Sequence, residues 1–104
     1  MIRVSAFCAT LSIDEETLEV WTASGWLLPV EEAGEPAFTE ADLARARFIV
    51  ALRTDMGVND AGIGLILDLV DQIHGLRGTV ADLMEALAAQ PEEVRRAVLG
   101  WRRG

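Results

Sequence analysis

One pattern limits this chain more than any other. Ile66, Leu69, Ile73, Leu76, Val80, Leu83 and Leu87 follow one another in alternating steps of three and four residues. That spacing keeps all seven side chains on one stripe of a helix, as in the a and d positions of a coiled coil. A single helix cannot bury such a stripe alone, so the seam calls for a second helix, and homodimerisation is the expected way to supply it. Gly75 and Gly78 weaken the helix by roughly 1 kcal/mol each relative to alanine, and Thr79 with Asp82 offers a fresh cap. The apolar register nevertheless continues in phase across both glycines, which predicts one long helix over 59–90.

Upstream of the seam, residues 38–59 read as a helix with both ends written in. Thr39 and Asp42 are spaced for a capping box, and Gly57 suits the left-handed closing position. Leu43, Ala44, Arg47, Phe48, Ala51 and Leu52 form the expected stripe, with Arg45 and Arg53 outside it, and Asn59 caps the next helix. Nearer the start, Ser5 is a candidate cap for a short helix over 6–10. Ser12 with Glu15 is a candidate capping box for a second helix over 13–23, with Gly25 as its stop. Two short helices across a tight turn suggest a helix-turn-helix. The apolar run Trp26 to Val30, the acidic turn Glu31 to Pro36 and the resumption at Ala37-Phe38 suggest a two-stranded wing with an exposed tip. Pro91 then stops or begins a helix in which Val94, Ala97, Val98 and Trp101 share an apolar face beside Arg95, Arg96, Arg102 and Arg103. The expected organisation is a winged module over 1–58, a coiled-coil dimerisation helix over 59–90 and a short amphipathic helix over 91–104.

Charge is distributed as unevenly as the apolar residues. The net charge is -8. Residues 1–42 carry nine acids against one base, Arg3, whereas residues 43–104 carry eight of each. There is no lysine. An acidic module repels phosphate and attracts a basic protein surface, which argues against nucleic acid as the partner. The candidate contact residues are Asp14, Glu15, Glu19, Glu31, Glu32 and Glu35 in the module, and Asp68 with Asp71 on one flank of the long helix. The sequence does not decide between these two surfaces.

No catalytic constellation emerges. His74 is the sole histidine and Cys8 the sole cysteine, so neither a metal site nor an internal disulfide is expected. The glycines at 57, 62 and 64 match no phosphate-binding loop. We expect neither an enzyme nor a cofactor. Without an 18-residue apolar run or a cleavable leader, the expectation is a soluble, cytoplasmic chain with no membrane role.

The order of these elements resembles the MerR-like winged helix-turn-helix architecture: mainly α, with a short β wing and a long coiled-coil helix. Four stretches narrow the resemblance: Gly25-Trp26-Leu27-Leu28-Pro29, Phe38 to Arg45, Leu52 to Asn59 with Gly62-Ile63, and Leu67 to Ile73. Together they are similar to the chaperone modulator CbpM family, over about residues 5–77. The element Asp55-x-Gly57-Val58-Asn59-x-x-Gly62-Ile63 is its most specific part. The resemblance implies a non-enzymatic regulator that binds the J-domain of a DnaJ-like co-chaperone (CbpA) and inhibits its work with the Hsp70 chaperone. Because a J-domain presents a basic helix, an acidic binder fits. The other reading of the same architecture is a MerR-type DNA-binding transcriptional regulator, and a purely architectural dimer is a third. DNA readers grip phosphates with bases on the second helix and wing, where this chain carries acids.

Overall fold

The computed structural model describes residues 1–101, with the side chain of Trp101 excepted. The expectations for Arg102 and Arg103, and for the surroundings of Trp101, lie outside the described residues. The elements in order are β1 (Ile2–Arg3), α1 (Val4–Leu11), α2 (Glu15–Ala23), β2 (Val30–Glu32), β3 (Glu35–Phe38), α3 (Glu40–Val50), α4 (Asp60–Ala88) and α5 (Glu92–Trp101). They fall into two compact units, 1–67 and 68–104. The mainly helical, winged architecture read from the sequence is the one observed.

The first unit opens differently from the expectation. Ser5 caps nothing: α1 begins at Val4, directly after the extended Arg3, and no side chain caps it. Nor does Ser12 cap α2. It adopts a left-handed conformation (φ 57°) that closes α1, with its N–H donating to Ala9 O at 3.3 Å. Asp14 takes the capping role instead, its Oδ1 accepting from the Thr17 N–H at 2.7 Å. The turn between the helices therefore spends one polar residue on ending α1 and another on starting α2.

The wing is a hairpin with a third strand added. Ala33 and Gly34 both have positive φ (52° and 80°), as a two-residue turn matching the strand twist requires. The strand order is β1-β3-β2, with Ile2 opposite Phe38 and Val30 opposite Ala37. Pro36 sits in the central strand opposite Glu31, two residues from the turn. In a two-residue hairpin the pair next to the turn is hydrogen-bonded and the following pair is not, so the missing proline N–H costs no ladder bond to β2. Pairing with β1 stops at Ala37, before Pro36 is reached.

The capping box at Thr39 forms as read: the Thr39 N–H donates to Asp42 Oδ2 at 2.8 Å, and the Asp42 N–H to Thr39 Oγ1 at 3.1 Å. The stripe behind it is different. Leu43, Ala46, Ile49 and Leu52 are buried, whereas Ala44, Arg47 and Phe48 are exposed. After Val50 the helix widens into a π turn over Ala51–Asp55, a local expansion that the sequence reading did not include. Arg45, expected outside the stripe, is half-buried, and its Nε donates to Trp26 O at 2.6 Å. That bond fastens the segment after α2 to α3.

Gly57 (φ 65°) and Asn59 then form the turn into α4. The Gly62 N–H donates to Asn59 Oδ1 at 2.8 Å. A methyl group on Gly62 would lie 2.7 Å from Val58 Cγ1 and 3.2 Å from Asn59 Oδ1. Ile63 and Leu67 of α4 are buried with Phe7, Leu18, Trp21, Leu27, Phe38 and Ile49 in one core. The first turns of α4 thus pack into the core of the first unit. Cys8 packs in the same core, and burial pushes its thiol pKa up, with the charges of Glu15 and Asp14 adding to the effect.

In the second unit α4 continues unbroken past Gly75 and Gly78. Thr79 starts no new helix; its hydroxyl donates instead to Gly75 O within the same helix at 3.1 Å. Leu69, Ile73, Leu76, Val80 and Leu83 are exposed and Leu87 is half-buried. Ile66 packs against the core of the first unit, so the open part of the seam starts at Leu69. Pro91 precedes α5 and accepts from the N–H groups of Val94 and Arg95. Leu83, Met84, Leu87, Val94, Val98 and Leu99 line a shared apolar recess of about 450 Å³, and Arg96 bridges Glu92 at 2.8 Å.

Candidate protein-binding face

The second helix of a helix-turn-helix usually carries recognition, and here α2 buries Leu18 and Trp21 while turning its carboxylates outward. Glu15 and Glu16 occupy its first turn, where the helix dipole favours negative charge. Glu15 and Glu19 are one turn apart and share a flank. That flank forms one wall of a groove of about 460 Å³, and the wing and the start of α1 complete it. Val4, Leu18, Pro29, Pro36 and Phe38 supply its apolar surface; Glu15, Glu19 and Glu35 supply its negative charge.

Among the described residues one base enters this groove. Arg3 donates through Nη1 to Glu32 O at 2.7 Å, lies 3.7 Å from Glu32 Oε1 through Nη2, and lies 3.5 Å from Glu35 Oε2 through Nη1. It fastens β1 to the wing and offsets part of the wing's charge. These ion pairs are exposed, so each contributes little to stability by itself. Among the described residues no cation pairs with Glu15 or Glu19, and the charge on the α2 side of the groove is uncompensated.

The eight acids singled out in the sequence do not form one cluster. Glu15, Glu19 and Glu35 line the groove together. Asp14 is committed to capping α2: hydrogen bonds from the Thr17 side chain and backbone lower its pKa, and the charge of Arg53 adds to the effect. Glu32 is held by Arg3, and Glu31 lies on an exposed strand beside a shallow recess with Pro29, Val30 and Pro36. Asp68 and Asp71 are exposed on α4 in the other compact unit. The sequence reading missed the roles of Arg3 and Arg45. A lone base among nine acids was the available signal for Arg3, whereas nothing local marked Arg45.

His74 is exposed, and among the described residues no three His, Cys, Asp or Glu side chains are placed to hold a metal ion. Among the same residues no helix is long and apolar enough to cross a membrane.

Comparison with known proteins adds one match. The model of the family described as MerR HTH family regulatory protein matches residues 2–85, from β1 into the last turns of α4. No curated protein and no solved structure matches the chain. The matched span covers the helix-turn-helix, the wing and nearly all of the long helix. The chain therefore belongs to the MerR helix-turn-helix family of regulatory proteins.

Proposed function

We propose that this MerR-family chain is a non-enzymatic regulator that binds the J-domain of a DnaJ-like co-chaperone and inhibits its activity. The observation that carries the reading is the charge of the face formed by α2 and the wing. Where a DNA reader needs bases, this face offers Glu15, Glu16, Glu19, Glu31, Glu32 and Glu35, and its one base is engaged with the wing. Each acid held near a phosphate adds repulsion where a base would release counterions. The same acids attract the basic helix of a J-domain. The CbpM-like stretches 52–63 and 67–73 support this choice of partner. We further propose a homodimer paired through Leu69, Ile73, Leu76, Val80, Leu83 and Leu87 of α4, because Leu69 to Leu83 stand exposed along the seam, beside the recess that Leu83 and Leu87 share with α5.

The test is a titration of the chain with a purified J-domain at about 0.05 and 0.5 M salt, with co-chaperone-stimulated ATPase activity as the second readout. A complex that forms at low salt, weakens as screening shortens the reach of the charges and suppresses the stimulated ATPase is the expected result. No complex at low salt refutes the reading. Membership of the family, with its helix-turn-helix and wing, also supports a second reading as a DNA-binding regulator. A gel shift on the DNA upstream of its own gene tests it, and salt-sensitive, sequence-selective retention there would favour it over the first.

A further inference from the structure

We infer that the groove between α2 and the wing seats one amphipathic helix of the partner protein, with two basic side chains one turn apart meeting Glu15 and Glu19. This rests on the reading that the partner is a protein with a basic surface, and it chooses the groove over the Asp68/Asp71 flank. Three observations converge on it. Glu15 and Glu19 lie at i and i+4 on α2, so their stems are about 6 Å apart, the same spacing that a pair of arginines at i and i+4 presents on an opposing helix. Between those carboxylates and the wing the groove is apolar, at Leu18, Pro29 and Pro36, which suits an aliphatic side chain projecting from the same face of that helix. The third is the charge asymmetry of the two walls. Arg3 is drawn to Glu32 and Glu35, which leaves the α2 wall as the stronger attractor and sets the partner helix along α2 rather than along the wing. A nucleic acid would meet three carboxylates here, and a flat basic sheet would leave the recess unfilled.

A probe independent of the J-domain separates this inference from the functional proposal. The probe is a short stapled helix carrying Arg at i and i+4 and Leu at i+3, with a Glu-for-Arg version as its control. It is titrated into the isotope-labelled full chain and followed by amide shifts. The expected perturbations centre on Val4, Leu18, Glu19, Thr22, Glu35 and Phe38, and the Glu-bearing control produces none. Glu15→Arg with Glu19→Arg weakens both the stapled helix and the J-domain by about tenfold or more. Asp68→Arg with Asp71→Arg, an equal change in net charge, weakens them less than about twofold. All four side chains are exposed, and the milder Glu15→Gln with Glu19→Gln pair guards against a folding artefact.

Shifts centred outside the groove, or an equal effect of the two reversal pairs, overturn the inference. A J-domain that binds wild type and responds only to the Asp68/Asp71 pair overturns it while leaving the proposed function standing. A stapled helix that seats in the groove while the J-domain fails to bind supports the groove and removes the named partner.

Discussion

The stack of Phe7 on Phe38 joins the helix-turn-helix to the wing, and breaking it gives the most exacting test of the first unit. The ring centroids are 4.2 Å apart with planes 21° from parallel, and the two residues are 0% and 1% exposed. Phe→Ala in a closed core costs about 3–5 kcal/mol, and losing an aromatic pair adds about 0.5–1.5 kcal/mol. Phe38 also lines the groove, so water can enter part of the space left by the ring, which places the expected loss for Phe38→Ala near the lower end, about 3–4 kcal/mol. Phe38→Leu keeps most of the volume and should lose about 1–1.5 kcal/mol. A unit of this size holds roughly 3–10 kcal/mol in total, so the alanine variant sits close to its unfolding threshold and the leucine variant stays measurable. Urea unfolding followed by the fluorescence of Trp21 and Trp26, in a Trp101→Phe background that removes the signal from α5, reads both. Leu28→Ala, at a residue 76% exposed, is the control and should change stability by less than about 0.5 kcal/mol. A loss below about 1 kcal/mol for Phe38→Ala, or equal losses for Ala and Leu, would show that the stack does not couple the wing to the helices.

Other outcomes follow from single features. Gly57→Ala should destabilise by about 1–2 kcal/mol because its φ of 65° disfavours a β-carbon. Gly75→Ala, in open space within α4, should stabilise by up to about 1 kcal/mol, and thermal melts of the two variants must move in opposite directions. Since the folded-state pKa of Asp14 lies below its unfolded value, its capping contribution is complete above the ordinary carboxylate pKa of about 3.9. That contribution is lost as the pH falls from there through the lower folded value. Acid unfolding of Asp14→Asn, which keeps a capping oxygen, should be shallower than that of wild type, and identical acid limbs would contradict the cap. For the proposed dimer, Leu76→Asp places a charge in the middle of the seam, and light scattering should report a monomer of 11.3 kDa in place of a dimer. A wild type that is already monomeric at micromolar concentration removes the dimer.

Features carried by a few adjacent residues were legible in the sequence; those set by distant residues were not. The Thr39/Asp42 box and the Asn59 cap are local hydrogen bonds, and both form as their spacing predicts. Ser12 and Asp14 are both good capping residues, and the choice between them rested on the need to close α1, which no local pattern displays. The stripe expected on α3 places Ala44, Arg47 and Phe48 beside Leu43, whereas burial steps by three from Leu43 through Ala46 and Ile49 to Leu52 in the π turn. Strand β1 has only two residues, too few for any alternation, and its partner lies some 35 positions away. The acidic character of the candidate face was plain from composition. Grouping Glu15, Glu19 and Glu35 into one groove, apart from Glu31 and Asp68, required the position of the wing. The stretch from Asp55 to Ile63, most specific for resemblance, is now explained by backbone geometry: a left-handed glycine, an asparagine cap and a glycine too close to Val58 for a side chain.

The pairing of Ile2 with Phe38 also carries a consequence for the order of folding events. Every residue of α1 and α2 lies inside the loop that this pairing closes, and closing it comes before its contacts can repay the lost chain entropy. On a ribosome, the first strand waits until the third has emerged before it can pair. The helix-turn-helix therefore matures together with its wing, and a fragment ending before Val30 would lack the strand that holds its beginning in place.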